Sequence, residues 1–174
     1  MSETTKDQAL EYLDRGWSII PIRPSTKRPA IKWQEFQTRQ PTEEEVERWW
    51  TQWPDYGIAL VTGELSGVVV VDCDNDESIK AAEDAEMFTP VKVKTKRGLH
   101  LYFEHPRDGK RRGPRAGVNS RGTDWPQING LDFRGDGSYA LLPPSKNYKW
   151  LAPEIDYSDM SPWRDWVPSI QRDE

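Results

Sequence analysis

Two aspartates follow the most apolar stretch of the chain. Residues 68–71 are four valines, and Asp72 and Asp74 come directly after them. Such a run predicts a strand buried on both faces, and because side chains alternate along a strand, both acids point to one face and Cys73 to the other. Two strand rises separate the acids by roughly 6–7 Å, so their carboxylates repel each other unless a cation such as Mg²⁺ or Mn²⁺ binds them. The alternative is that the two acids cap the next helix or shape a turn.

A histidine lies in a second short segment of alternating polar and apolar residues, 97–103. Alternation puts His100 on the face opposite its apolar neighbours, where the imidazole can donate a hydrogen bond to a phosphate oxygen. Arg97 adds positive charge, and Gly98 lets a phosphate come close to the backbone. These residues predict a nucleotide-binding element, unless His100 is a structural histidine whose hydrogen bonds are satisfied within the fold.

A third aspartate, Asp132, lies between two apolar residues and shares a strand face with Arg134. Alone, Asp132 would be an acid on an edge strand, paired with the neighbouring arginine. If the three segments align in one sheet, however, Asp72, Asp74 and Asp132 converge beside His100. Arg134 would converge with them and is predicted to bind the nucleotide. Three carboxylates with a phosphate-binding imidazole and basic neighbours describe a two-metal phosphoryl-transfer site, in which the aspartates are both metal ligands and catalytic residues.

Positive charge is concentrated in one part of the chain, although the whole chain has a net charge of −5. Between Lys92 and Arg121 there are ten lysines or arginines and two acids, which gives this stretch +8 and leaves −13 for the remainder. Concentrated positive charge is typical of contacts with nucleic-acid phosphates. The alternative is a solvated loop that happens to be basic. We predict DNA binding by four residues of this stretch: Lys110, Arg111, Arg112 and Arg115.

The elements that must position these residues follow from hydrophobic patterns and from capping and turn signals. Helices are predicted over 7–15, from a capping box at Thr42 and Glu45 to residue 53, and over 79–87 with Asp76 or Ser78 as its cap. Short strands are predicted over 17–22, 58–61, 68–71, 91–93, 99–103, 131–133 and 139–142. Strands 91–93 and 99–103 are predicted to form one hairpin, and strands 131–133 and 139–142 another around residues 135–137. Residues 109–123 are predicted to form a mobile loop. This mixture predicts an α+β (α/β) domain with a mixed β-sheet.

Composition sets further limits on the kind of protein. With one cysteine, Cys73, the sequence can form neither an internal disulfide nor a cysteine-rich zinc site, which fits a reducing cytoplasm. There is no run of about 18 apolar residues and the N-terminus is polar, so neither a membrane span nor a signal peptide is expected. The length of 174 residues suits one domain, with the catalytic part expected over 1–152 and a C-terminal extension or linker over 153–174.

Taken together, these segments resemble the bifunctional primase–polymerase (Prim-Pol) domain of phage and plasmid replication proteins, within the archaeo-eukaryotic primase superfamily. The resemblance covers about residues 9–150, and the segments 16–21, 27–33, 57–63 and 143–145 contribute to it. The motifs of the family match, in chain order, Asp72 with Asp74, Gly98 with His100, and Asp132.

The resemblance implies template-directed nucleotide transfer, in which a 3′-hydroxyl attacks a nucleoside triphosphate and releases pyrophosphate. It implies a primase–polymerase fold whose catalytic unit is RNA-recognition-motif-like, with two Mg²⁺ or Mn²⁺ ions on the three aspartates. His100 would contact the incoming triphosphate. The implied partners are a single-stranded DNA template, dNTPs or NTPs, and a helicase domain or protein, with no membrane.

Two departures from the family bear on how synthesis starts. Many relatives carry serine where this chain has Gly98, so a phosphate contact there would have to use the backbone N–H. Some relatives carry a zinc-binding insertion that helps to start chains, and because this sequence has no such zinc site, extension is better supported than primer-independent initiation. Two other functions stay open: a metal-dependent nuclease, since acid triads also cleave phosphodiesters, and a non-catalytic DNA-binding or replisome module.

Overall fold

The computed structural model describes residues 3–116 and 129–166 and shows an α+β domain, which confirms the predicted fold class. The helices of this part are α1 (Thr5–Asp14), α2 (Glu43–Gln52) and α3 (Asp76–Asp84), with short 3-10 helices at Gln34–Gln37 and Tyr157–Asp159. The strands are β1 (Ile19–Ile22), β2 (Gly57–Thr62), β3 (Val68–Cys73), β4 (Lys92–Lys94), β5 (Leu99–Glu104), β6 (Arg115–Ala116), β7 (Leu131–Arg134), β8 (Ser138–Leu142), β9 (Lys149–Trp150) and β10 (Ser161–Pro162).

The strands form two sheets. The small sheet is antiparallel, with the order β1-β2-β8. The large sheet has the order β6-β7-β3-β5-β4-β9, and β10 pairs with β5 beyond the end of β4. The pairing of β10 with β5 is parallel and the others are antiparallel, so the large sheet is mixed, as predicted. The four-valine run forms most of β3, which lies inside the large sheet, and its side chains are buried.

Two short connections cross from one sheet to the other at the same end of the fold. Residues 63–67 lead from β2 into β3, and residues 135–137 lead from β7 into β8. The two crossings are bonded together: Thr62 Oγ1 donates to Gly135 O (2.6 Å), and Glu64 N donates to Asp136 Oδ1 (3.0 Å). At the opposite end a longer link, residues 143–148, passes from β8 to β9. We call the end with the two crossings the crossing end. The opposite end is the acid end, because β3 runs from the crossings toward Asp72.

Two hydrophobic cores lie on opposite faces of the large sheet. The first contains residues of α1, α2 and the small sheet, and takes Val70 and Tyr102 from the large sheet. The second contains Val71 and Phe103, which point to the other face, together with α3 and Trp163. Burial of alternate residues of β3 and β5 in different cores fixes the register of both strands, because a shift by one residue would exchange the two faces.

The helices begin at capping residues, one of which differs from the prediction. The predicted capping box of α2 is confirmed, since Glu45 N donates to Thr42 Oγ1 (3.1 Å) and Thr42 N donates to Glu45 Oε1 (2.9 Å). Helix α3 starts about three residues earlier than predicted and is capped by Asn75, whose Oδ1 accepts from Ser78 N (2.8 Å). The hydrophobic pattern begins after the polar first turn of α3 and so hid this cap. None of the helices within residues 3–116 and 129–166 is long and apolar enough to cross a membrane.

Of the two predicted hairpins, one is confirmed and one is wrong. Strands β4 and β5 pair in antiparallel fashion, with Lys94 opposite Leu99. Strands β7 and β8 belong to different sheets. The turn at 135–137 has hairpin-like glycines, but Asp136 N donates to Arg112 O (2.6 Å) and its carboxylate accepts from Glu64, which directs the chain across to the small sheet.

The predicted mobile loop over 109–123 is only partly a loop. Residues 109–114 are irregular, but Arg115–Ala116 form β6 and pair with β7 at the edge of the large sheet. The rest of the predicted loop, from residue 117 onward, lies outside the described residues.

Candidate active site

Three neighbouring strands bring two of the predicted acids and the histidine into one row across the large sheet. Asp72 of β3 lies opposite Asp132 of β7 on one side and opposite His100 of β5 on the other. Residues directly opposite each other in an antiparallel pair point to the same face. Asp72 and His100 continue the alternation of Val70 and Tyr102, so this row faces the small sheet.

The charged groups of this row are close together, and the pair of His100 and Asp72 is largely buried. His100 Nε2 lies 3.4 Å from Asp72 Oδ1, and the two side chains are 7% and 16% exposed. Arg134 Nη2 lies 3.6 Å from a carboxylate oxygen of Asp72 and 3.6 Å from one of Asp132. Burial acts to raise the pKa of Asp72, but the hydrogen bond and charge of His100 and the charges of Arg134 and Lys27 outweigh it, and the pKa lies below its ordinary value. Asp72 is therefore ionised at neutral pH.

Asp74 lies one residue beyond the end of β3. Its N–H donates to Gly130 O (2.8 Å), and its half-exposed carboxylate lies 4.0 Å from Arg97 Nη1. Gly98 packs against this segment so closely that a Cβ atom at position 98 would lie 1.8 Å from Cys73 O. Only glycine therefore lets the β4–β5 turn approach the acids at this distance. The N–H of Gly98 donates to Thr95 Oγ1 (3.0 Å), and a phosphate would have to compete with that bond.

A cavity of 630 Å³ opens beside the row, at the acid end of the gap between the two sheets. Asp72, Asp74, His100 and Arg97 line it, whereas Asp132, Arg134 and Gly98 do not. Cationic side chains from three other places complete the lining: Arg23 and Lys27 after β1, Lys96 in the β4–β5 turn, and Lys146 after β8. The cavity thus has carboxylates on the large sheet and positive charge around its rim.

Lys27, which no pattern in the sequence assigns to the site, reaches the cavity from an arm between β1 and the first 3-10 helix. This arm, residues 23–28, folds back on itself, with Arg23 N donating to Arg28 O (2.9 Å). Tyr139 OH donates to Lys27 O (2.6 Å) and fixes the arm to the small sheet. The resemblance of residues 27–33 to the family was the one sequence signal for this segment.

Tyr148 is a second cavity residue that no pattern in the sequence assigns to the site. It lies in the link between β8 and β9, lines the cavity, and has its ring centroid 5.7 Å from that of His100. Burial raises the pKa of Tyr148, and the negative charges of Asp72 and Asp74 raise it further, so the hydroxyl stays protonated. Nothing in the spacing of the sequence connects this tyrosine, 76 residues further on than Asp72, with the acid pair.

The donor atoms of the aspartates suit a divalent cation. Asp72, Asp74 and Asp132 offer carboxylate oxygens, the ligands that Mg²⁺ and Mn²⁺ prefer. Within the described part of the chain, no three His, Cys, Asp or Glu side chains are already grouped as metal ligands. Between Asp72 and Asp132 the positive charge is that of Arg134, so a metal would bind there with a change in the Arg134 side chain. The Cys73 thiol takes no part, because it lies in the second core, where burial raises its pKa to about 12.

Arg112, one of the four predicted DNA-binding residues, is buried. It is 4% exposed, and its guanidinium lies 2.6 Å from Asp165 Oδ1 and 2.8 Å from Asp108 Oδ1. A guanidinium held between two carboxylates in this way is not available to a phosphate. The structure instead shows Arg112 tying the basic segment to the C-terminal part of the domain.

The other three predicted DNA-binding residues differ among themselves. Lys110 and Arg111 are exposed. Arg115 is 9% exposed on β6, and burial lowers its pKa, so it too lacks the open position expected of a phosphate contact. Arg121, which contributed to the charge count, lies outside the described residues. The basic segment therefore presents fewer free charges than its composition predicts.

Comparison with known proteins agrees with the motifs. No curated protein sequence matches the chain significantly. The sequence profile of a family described as "Bifunctional DNA primase/polymerase, N-terminal" matches residues 9–166, which is nearly the whole chain. The resemblance seen in the sequence is confirmed, and this chain belongs to the Prim-Pol family.

Proposed function

We propose that this chain is a template-directed nucleotidyltransferase, a DNA primase/polymerase that joins the 3′-hydroxyl of a growing strand to a nucleoside triphosphate and releases pyrophosphate. The observation that carries the proposal is the row of Asp132, Asp72 and His100 beside a cavity with a cationic rim. Membership of the Prim-Pol family supports the same activity.

Asp72, Asp74 and Asp132 would hold the Mg²⁺ or Mn²⁺ ions of this reaction. Bound there, the ions would lower the pKa of the attacking hydroxyl and neutralise charge on the triphosphate and the leaving pyrophosphate. The chain's own contribution is to keep Asp72 ionised in a largely buried position, through His100 and Arg134.

His100 would bind the incoming triphosphate. Its Nε2 is directed to Asp72, and its Nδ1 is buried without a hydrogen-bond partner within the described residues. A buried ring nitrogen in this state costs free energy, which a ligand oxygen or a bound water would recover. Tyr148, beside His100, would form part of the wall against the nucleotide.

The cationic rim would hold the phosphate groups. Lys27 reaches the cavity from the small sheet, Arg97 from the β4–β5 turn and Lys146 from the link after β8, so positive charge surrounds the acids on several sides. A site for a free triphosphate, with three to four negative charges, needs this surplus of cations. The rim therefore favours nucleotide transfer over a nuclease, whose single scissile phosphodiester needs less positive charge.

The proposal includes a single-stranded DNA template, and a helicase domain or protein that would supply it during phage or plasmid replication. Membership of the Prim-Pol family supports the template. The helicase and the replication context rest on the resemblance alone.

A primer-extension assay tests the proposal. The wild-type chain is incubated with labelled primed and unprimed single-stranded templates, nucleotides and Mn²⁺, and products are separated by length. We expect extension of the primed template, and we expect Asp72→Asn to lower its rate by about 10³-fold, because an amide would hold the metal ions less well and the charge at the reacting phosphate would lose their stabilisation. The matched control is Asp84→Asn, which removes an exposed acid on α3 and leaves the rate unchanged.

Two results would contradict the proposal. One is folded wild-type protein that yields no product on either template with Mn²⁺ or Mg²⁺. The other is degradation of DNA without added nucleotides that Asp72→Asn abolishes, which would identify a nuclease.

A further inference from the structure

Two lysines lie directly opposite each other at the outer edge of the large sheet. In the antiparallel pair of β4 and β9, Lys94 is the register partner of Lys149. Both are exposed. Like charges in this arrangement have Cβ atoms about 5 Å apart and destabilise the pair of strands. A repulsive pair at this position does not help the fold, which points to a role outside folding.

More positive charge continues from this pair toward the cavity. Lys96 in the β4–β5 turn and Lys146 before β9 are exposed and line the cavity rim. None of these lysines has an ion pair with a carboxylate of residues 3–116 or 129–166. We call this set the lysine edge: Lys94, Lys96, Lys146 and Lys149.

Strand register places the lysine edge close to the acids. Lys94 pairs with Leu99, and Leu99 pairs with Cys73, so Lys94 lies two strand spacings, roughly 10 Å, from the residue between the two acids. Because Val93 shares the face of His100, Lys94 and Lys149 point to the other face of the sheet. The turn with Lys96 and Arg97 connects the two faces and reaches into the cavity.

The basic segment that the sequence favoured for DNA binding lies elsewhere. Arg112 O accepts from Asp136 N, and Asp136 lies in the crossing between β7 and β8. This places residues 110–112 at the crossing end, beside the beginning of β3 and about 13 Å along that strand from Asp72, whereas the buried Arg115 lies further along, opposite Phe133. Arg112 in that segment is already paired with two carboxylates, whereas the lysines of the edge lie at the acid end and have no ion pair within the part of the chain that the structure describes.

We propose that the lysine edge binds the phosphate backbone of the single-stranded template or primer and guides it over the β4–β5 turn to the cavity. This inference rests on the proposed function for the identity of the strand, but not for the binding itself. The lysines contact phosphates rather than bases, because exposed ammonium groups on a sheet edge give charge without a base-reading geometry. Binding is therefore independent of sequence and weakens as the salt concentration rises.

The test compares two double variants that remove the same charge. Lys94→Gln with Lys149→Gln neutralises the lysine edge, and Lys110→Gln with Arg111→Gln neutralises the exposed part of the other basic segment. Each is made in the full chain with Asp72→Asn also present, so that no catalysis takes place. Fluorescence anisotropy of a labelled single-stranded DNA oligonucleotide is measured over a range of NaCl concentrations, with EDTA and without nucleotide.

We expect the edge variant to bind with a salt slope that is shallower by about 1.4, since each phosphate contact on a single strand contributes about 0.7. If both proteins bind equally at 1 M salt, this slope corresponds to roughly 25-fold weaker binding at 0.1 M. The control variant should bind like its Asp72→Asn parent. Thermal unfolding of the edge variant should be unchanged or slightly higher in temperature, because a repulsive pair is removed.

Equal binding by the edge variant and its parent would overturn the inference. A larger loss of DNA affinity in the control variant than in the edge variant would also overturn it, because the segment around Lys110 would then be the DNA-binding surface. Because the assay contains no nucleotide and no active enzyme, either result is separate from failure of the primer-extension test.

Discussion

Two buried histidine–aspartate pairs lie at opposite ends of the large sheet. His100 Nε2 lies 3.4 Å from Asp72 at the acid end, and His105 Nε2 lies 3.2 Å from Asp136 at the crossing end. The histidine side chains are 7% and 1% exposed, so in distance and burial the two pairs are nearly the same.

The two pairs differ in whether their other polar atoms also have hydrogen-bond partners. At the crossing end, Asp136 also accepts from Arg112 N (2.7 Å) and Glu64 N (3.0 Å), and His105 Nδ1 accepts from Arg107 N (2.9 Å). At the acid end, His100 Nδ1 has no partner within the described residues. A pair whose bonds are complete holds the fold together, whereas a pair with a bond left over beside a cavity can bind a ligand.

The largest effect that separates the pairs is on catalysis. We expect His100→Gln to lower kcat/KM for the incoming nucleotide by about 10²-fold, because a preorganised donor to the triphosphate is lost. His105→Gln, at the other end of the sheet, should leave kcat/KM per folded molecule unchanged. Steady-state primer extension at varied nucleotide concentration measures kcat/KM for both variants. Equal losses of kcat/KM would show that the two histidines do not differ in function.

The next largest effect is on stability, where the pair at the crossing end should matter more than the pair at the acid end. The two carboxylate oxygens of Asp136 accept from two different backbone N–H groups, and the amide that Asp136→Asn introduces has one acceptor oxygen and cannot satisfy both. The free energy of unfolding should fall by about 2 kcal/mol, with a smaller fall for Asp72→Asn, whose partners include solvent-accessible cations. Urea unfolding followed by tryptophan fluorescence gives both values, and the comparison fails if Asp72→Asn is the more destabilised variant.

The smallest effect is the pH dependence of the stability that Asp136 contributes. Burial acts to raise the pKa of Asp136, but hydrogen bonds from His105, Arg112 and Glu64 outweigh it, and the pKa lies below its ordinary value of 3.8. The unfolded chain therefore binds the proton first as pH falls, and the stability that ionised Asp136 gives is complete above 3.8 and is lost as pH falls through the lowered pKa.

The gap in unfolding free energy between the wild type and Asp136→Asn should therefore be constant from about pH 7 to pH 5 and narrow toward about pH 3. Urea titrations of both proteins at each pH measure it. A gap that widens as the pH falls would show that Asp136 is not the stabilising carboxylate.

The acid row was predictable because its signals are local. Alternation around Asp72, His100 and Asp132 shows which face each side chain takes, and one shared sheet then brings them together. The sequence does not show that Arg134 lies between two of the acids, nor that Lys27 and Tyr148 reach the same cavity from distant segments. Those placements depend on how the two sheets pack, and no periodicity of the sequence reports that packing.

The wrong hairpin prediction and the burial of Arg112 share a cause. The glycines at 135 and 137 are typical of a hairpin turn, and the arginines near 112 are typical of a DNA-binding loop. In both cases a long-range partner decides the outcome: Asp136 bonds to Glu64, and Arg112 bonds to Asp165. Local composition identifies the residue types at such positions, and tertiary contacts determine what those residues do.

The position of the two crossings has a consequence for how the cavity can adapt to its contents. Residues 63–67 and 135–137 are short and bonded to each other, so the sheets cannot separate at that end. A change in the width of the gap would therefore be smallest at the crossings and larger toward Asp72. The link over 143–148 must stretch or fold to follow such a movement, and it carries Lys146 and Tyr148 with it. A wider gap at the acid end would therefore also move Lys146 and Tyr148 relative to the acids.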